Sequence, residues 1–141
     1  MASNLPVDGF VFLGDADPYD LAIYTSLLAL PPHNRAIDVC YGGLGVDTLQ
    51  ALDARTPASV LLDRISSPLA EGEIALRRAL LALPGVPTVV ADALEGITRL
   101  LGNRKVELEA LLHSGLFAPN RVRSAVRKAM QVRAKSRRTQ P

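Results

Sequence analysis

The chain is poor in the residues that staple, chelate or span. Its single cysteine, Cys40, rules out an internal disulfide, and its apolar neighbours suit a buried, reduced thiol. The two histidines, His33 and His113, stand far apart with no Cys or His at ligand spacing, so a zinc site is not expected. No apolar run reaches the ~18 residues a membrane helix needs, and the opening MASNLPVD has neither a charged n-region nor an apolar h-region. A membrane span and a leader are therefore not expected, and the default address is cytoplasmic. Acid is missing altogether from residues 114–141, which carry 8 of the 16 Lys and Arg, while residues 1–113 hold all 14 Asp and Glu against 8 bases. The net charge of +2 hides an acidic body of −6 and a basic tail of +8.

What is there suits one domain with a real core: 141 residues, 48% of them hydrophobic. The organising stretch is Gly9 to Asp20, GFVFLGDADPYD. Phe10, Val11, Phe12 and Leu13 form an unbroken apolar run, the pattern of a parallel strand buried on both faces. Gly14 ends it, and Asp15 and Asp17 follow, one residue apart, before Pro18 opens a helix. Two carboxylates this close repel, and a hard cation taking oxygen ligands relieves them, which makes Mg²⁺ the first candidate. The same residues also fit a plainer reading, with Asp17 capping the helix and Asp15 in the turn.

Downstream, Tyr19 to Leu30 has apolar residues at helical spacing and stops at Pro31 and Pro32. Ala36 to Tyr41 reads as a second strand, giving a parallel strand-helix-strand crossover with Asp38 inside its strand. Gly42, Gly43 and Gly45 match neither the dinucleotide nor the Walker pattern and read as a turn into a helix over Val46 to Ala54. The stretch from Arg55 to Ser67 is ambiguous, with SVLLD as a candidate strand. From Ser67 a helix is expected, with Ser67 or Ser66 preceding Pro68 and Glu71 and Glu73 near its positive end, running to about Leu83. Pro84, Gly85 and Pro87 break it. Thr88 to Leu101 reads mostly as helix, and Arg104 to His113 as another, closed by Ser114 and Gly115. In a last helix capped by Asn120, Val122, Val126, Ala129 and Met130 form an apolar stripe. Arg121, Arg123, Arg127, Lys128 and Arg133 face water, and KSRRTQP beyond Ala134 reads as a loose tail.

Three separated stretches then fall into one pattern. VFLGDADPYDLAIY resembles the D-x-D-P-x-G segment of TOPRIM domains, the metal-binding fold of topoisomerases, primases and some nucleases. GLGVDTLQAL with SPLAEGEIALRRALLAL resembles the middle of one branch, the topoisomerase VI A subunit and its meiotic double-strand-break relatives. KVELEALLHSGLFAPNRVRSAV resembles that branch's "K-x-E-[IL]-E-A-L" helix near the C-terminus. A more distant similarity is to the TOPRIM-like nuclease subunit of Wadjet-type plasmid-defence systems, whose acidic turn is also G-D-x-D.

The resemblance implies a TOPRIM-like parallel sheet flanked by helices over residues 1–119, with a basic helix and tail over 120–141. It places Asp15 and Asp17 on the family's paired, Mg²⁺-holding aspartates beside DNA phosphate, and Lys105, Glu107 and Glu109 on its helix pattern. On the residues alone, those last three suit a solvated helix face with a Lys105–Glu109 pair. Asp20 stands where the family has glycine; it is either a third carboxylate or an exposed first-turn acid. The family's glutamate on an earlier strand has no counterpart among residues 1–8, so Mg²⁺ binding is expected to be weak or lost. Its nucleophilic tyrosine belongs to a winged-helix domain, and Tyr19, Tyr24 and Tyr41 sit in the crossover instead.

Three functions follow as expectations. One is an Mg²⁺-binding module acting on DNA within a topoisomerase VI A-like cleaving or strand-passing complex, completed by a winged-helix partner subunit or by a second copy. Another is a degenerate, non-catalytic module that contacts DNA or protein. The third, a receiver-like or nucleotide-binding protein, lacks a strand-end acceptor aspartate, and no lysine precedes Lys105. Under the first two, Arg121, Arg123, Arg127, Lys128, Arg133, Lys135, Arg137 and Arg138 are the phosphate contacts, since no aromatic residue interleaves them for base stacking.

Overall fold

A glycine-edged pair of parallel strands carries the acidic turn. In the computed structural model, which describes residues 9–15, 17–29, 38–52 and 64–138, β1 (Gly9–Gly14) pairs with β2 (Asp38–Gly43) in register from Gly9 opposite Asp38 to Gly14 opposite Gly43. Helix α1 (Pro18–Ala29) lies between them in the chain. Gly43 has φ +86°, and a Cβ there would fall 2.2 Å from the Gly14 carbonyl oxygen, so only glycine fits. The Leu44 N–H donates to the Gly14 carbonyl at 2.8 Å, and the buried Thr48 hydroxyl donates to the Gly43 carbonyl at 2.6 Å, tying the strand end to α2 (Val46–Leu52). The glycines are a backbone device, as expected, although β2 runs two residues further than Tyr41.

The second sheet is a small antiparallel pair, β3 (Ser66–Pro68) with β4 (Arg104–Val106), which sets Ser67 opposite Lys105. The Arg104 guanidinium clamps it, donating to the Ser66 hydroxyl at 2.7 Å and to the Ser66 carbonyl at 3.0 Å. Between these strands run α3 (Glu71–Ala82) and α4 (Thr88–Leu101); α5 (Leu108–His113) and α6 (Pro119–Arg138) follow β4. Among the described residues the chain is thus mixed α/β, with six helices and two two-stranded sheets, one of them parallel.

Among the described residues, two apolar clusters hold these parts together. Leu21, Tyr24, Tyr41, Leu80, Val90 and Leu94 join α1, β2, α3 and α4, with the rings of Phe12, Tyr24 and Tyr41 mutually in contact at centroid distances of 5.3 to 6.2 Å. Leu44, Leu49, Leu52, Leu101, Val106, Leu111, Phe117, Val122 and Ala125 form the other. The basic helix α6 packs on α2 and β2 and gives Val122 and Ala125 to that second core, with Ala129 also buried.

Several expectations need correction. The first strand is not covered on both faces: Val11 is 46% and Leu13 61% exposed, because helices cover the Phe12 side while the other side meets α6 only over β2. Ser66, Ser67 and Pro68 form a strand, and α3 instead starts after Ala70, whose N–H donates to the Glu73 carboxylate at 3.2 Å. Arg104 to His113 is not one helix. Its first three residues pair with β3, and the helix starts only at Leu108, because tertiary pairing outweighs a helical pattern ten residues long. The last helix begins at Pro119 on the Ala118 carbonyl, so Asn120 lies within it, and it continues past Ala134 to Arg138. Its buried stripe is Val122, Ala125 and Ala129, with Val126 and Met130 half-buried. Cys40 is half-buried. Ala36, His33 and SVLLD lie outside the described residues.

Candidate functional site

The acidic turn leaves the carboxyl end of β1, and backbone N–H groups organise each of its carboxylates. Asp17 caps α1, its Oδ1 accepting the Asp20 N–H at 2.8 Å. Asp20 reaches back, its Oδ2 accepting the Asp15 N–H at 2.7 Å. Asp15 reaches across the fold, its Oδ1 accepting the N–H of Leu108 at 2.7 Å, at the start of α5. One carboxylate oxygen each of Asp15, Asp17 and Asp20 lies within 4.8 Å of the others. The plainer reading of Asp17 as a cap therefore holds without separating it from its neighbours.

Burial makes this arrangement costly. Desolvation pushes the Asp15 carboxyl above its ordinary pKa; the Leu108 N–H opposes the shift, and the charges of Asp20, Asp17 and Glu107 add to it. Asp17, 8% exposed, is raised for the same first reason, with the Asp20 N–H and Lys105 opposing and Asp20 and Glu73 adding. Both groups hold protons more tightly than free carboxyls do, first of all because they are buried.

One positive charge is supplied from within. Lys105 projects from β4 so that its Nζ lies 3.2 Å from Glu73 Oε2, 3.5 Å from Glu107 Oε1 and 3.7 Å from Asp17 Oδ2. Glu73 is 5% exposed, and its Oε2 has the ammonium as ionic partner but no well-aligned hydrogen bond. Burial lowers the Lys105 pKa, but Glu73, Asp17 and Glu107 together outweigh it and hold the ammonium above its usual range. Three carboxylates, those of Asp17, Glu73 and Glu107, thus share this ammonium. Beside it, a cleft is lined by Asp17, Pro18, Arg77, Leu94, Arg104 and Lys105 among others.

The expected solvated Lys105–Glu109 pair is not formed: Lys105 turns inward, 18% exposed, because it lies on a strand, while Glu109 is exposed on α5. Glu73 went unrecognised at the site. From sequence it is a helix-start acid, 32 positions from Lys105, and only the β3–β4 pairing brings the two together. Asp20 stands with Asp15 and Asp17 rather than alone. Tyr24 and Tyr41 are core residues, the Tyr24 hydroxyl donating to the Val39 carbonyl at 3.2 Å, and Tyr19 is exposed. Arg121, Arg123, Arg127 and Lys128 are exposed on α6, with the Arg121 guanidinium 5.9 Å from the centre of the Phe117 ring. Arg133, Lys135, Arg137 and Arg138 lie on the same helical backbone.

The donor set suits a hard divalent ion: clustered, partly desolvated carboxylate oxygens. No helix is long and apolar enough to cross a membrane among the described residues. No protein-family model, curated protein or solved structure matches the chain.

Proposed function

We propose that the chain is an Mg²⁺-binding, TOPRIM-like module that acts on DNA as part of a topoisomerase VI A-like cleaving or strand-passing complex. The observation that carries this reading is the convergence of Asp15, Asp17 and Asp20 at the carboxyl end of a parallel strand, where open α/β sheets hold their ligands. Asp15 and Asp17, with Asp20 as third acid, would hold the ion. Bound there, Mg²⁺ supplies a Lewis acid and a template for a phosphate group. The chain's own part is to fix the carboxylates through backbone N–H bonds and to offer the α6 cations to the DNA backbone. On this reading the nucleophilic tyrosine, and with it the phosphodiester chemistry, belongs to a partner carrying a winged-helix domain, or to a second copy.

Calorimetric titration with Mg²⁺ of the wild type and Asp15→Ala tests the metal half: a response in the wild type that the variant loses supports it, and an equal response in both overturns it. For the DNA half, deleting the tail would also remove the core residues Val122, Ala125 and Ala129, so Arg123, Arg127 and Lys128 are each replaced by Gln. If these exposed cations contact phosphates, the slope of log affinity against log salt shrinks by up to about 3. An unchanged slope sinks the DNA half.

A second reading is favoured by one specific observation. Lys105 already neutralises part of the cluster, as expected of a degenerate, non-catalytic module that contacts DNA or protein. Absence of any divalent response in the wild type, with the salt-dependent DNA binding intact, would select it.

A further inference from the structure

We infer that Lys105 is a tethered counter-ion of the acidic site, anchored by Glu73, so that the wild-type site takes a divalent cation only in exchange for the lysine ammonium. The inference rests on the cation-binding reading of the aspartates and goes beyond it by assigning Lys105 and Glu73, neither of which is among the three acids of the turn.

Three observations carry it. The ammonium is not a surface charge that drifted onto an acid: it sits between side chains of three separate segments, with Asp17 before α1, Glu73 on α3 and Glu107 after β4 all within 3.7 Å of Nζ. Its position is imposed by backbone pairing, because the Ser67–Lys105 register and the Arg104 clamp on Ser66 hold β4 against the start of α3. Its principal partner is built for it, since the Glu73 carboxylate is nearly fully buried, bonded through Oε1 to the Ala70 N–H and left with Oε2 facing the ammonium. A buried carboxylate with one oxygen satisfied by the backbone and the other by a lone cation is an anchor for that cation.

The consequence is competition. The ammonium lies 3.7 Å from Asp17 Oδ2, one of the carboxylates that would ligate the metal, and a divalent ion entering beside it meets a like charge a few ångströms away. Repulsion at that range weakens binding by roughly tenfold or more, even with water-like screening. When the ion enters, the lysine must withdraw from Asp17, and its flexible four-carbon stem allows that without breaking β4. On this inference Lys105 by itself lowers the affinity of the site for a divalent ion.

The test removes the ammonium without stranding Glu73. Replacing Lys105 alone leaves a buried acid unpaired and risks unfolding, so the comparison is Glu73→Gln against the Glu73→Gln/Lys105→Met double variant. In both, the glutamine oxygen can still accept the Ala70 N–H. Titration calorimetry with MgCl₂ and with MnCl₂ gives the affinities, and thermal melts with and without Mg²⁺ give a second readout independent of any activity. The double variant should bind about tenfold tighter or more and gain more Tm from Mg²⁺ than Glu73→Gln, while Lys105→Arg in the wild-type background, which keeps the charge, should resemble the wild type. Equal affinities with and without the lysine, all abolished by Asp15→Ala, would overturn the counter-ion role and leave the metal site standing. No binding and no Tm response in any of these proteins would overturn the site and the counter-ion role together.

Discussion

Asp15→Asn should make the protein more stable and less responsive to magnesium. The substitution removes one charge but keeps an oxygen where Leu108 needs it: Asp15 Oδ1 accepts that N–H at 2.7 Å, and an asparagine oxygen offers the same acceptor. The bond changes from charge-assisted to neutral, which costs about 1 kcal/mol. Against this, Asp15 stands with Asp17 and Asp20, their ligand oxygens within 4.8 Å of one another. Two unit charges at that separation repel by about 0.9 kcal/mol in water and more in a partly buried site, so relief from two neighbours is worth about 2 kcal/mol. Desolvation, the main cause of the raised Asp15 pKa, acts in the same direction, because a neutral amide is easier to bury than a carboxylate. The net expectation is a gain of about 1 kcal/mol or slightly more in EDTA at neutral pH, seen as a Tm increase of about 3 to 5 °C. Thermal and urea denaturation in EDTA and in Mg²⁺ provide the assay; added Mg²⁺ should stabilise the wild type and leave the variant nearly unmoved. A variant less stable than wild type in EDTA would mean that the carboxylate serves the fold first, and would refute the reasoning.

Other expectations are more local. Because Asp15 and Asp17 have folded-state pKa values above the ordinary 3.8, the folded protein holds protons that the unfolded chain has released. Their contribution to stability is therefore greatest below 3.8 and is lost as pH rises through the raised values, at up to about 1.4 kcal/mol per pH unit for each proton. Urea denaturation at a series of pH values should show this loss in the wild type and a flatter profile in Asp15→Asn/Asp17→Asn. Gly43→Ala should cost more than about 3 kcal/mol, since a methyl group would strike the Gly14 carbonyl at 2.2 Å from a residue already at φ +86°; soluble yield and Tm would report it. Leu111→Ala, at a side chain 0% exposed in the second core, should cost about 2 to 5 kcal/mol in chemical denaturation.

Much of the fold was legible where neighbouring residues settle the matter. The apolar run from Phe10 to Leu13 ending at Gly14, the Pro18 start of α1, the glycines after Tyr41 and the break at Pro84 to Pro87 all act within a few residues, through backbone sterics and hydrogen-bond supply, and each marks an element or its end. The acidic turn was visible for the same reason, because one residue of spacing already brings two carboxylates together. What needed tertiary structure was everything set by pairing across the chain. Arg104 to Val106 has a helical pattern, yet it becomes a strand because Ser66 to Pro68, 38 positions away, offers it hydrogen bonds. That single pairing turns Lys105 inward, brings it to Glu73 and Asp17, and converts an apparent surface helix into one wall of the site. The sequence by itself therefore determined where acid would concentrate and where the chain would turn, since those depend on near neighbours. Only the tertiary structure decided which cation answers that acid, because an ion pair forms between groups that are close in space, and closeness in space here depends on strand register.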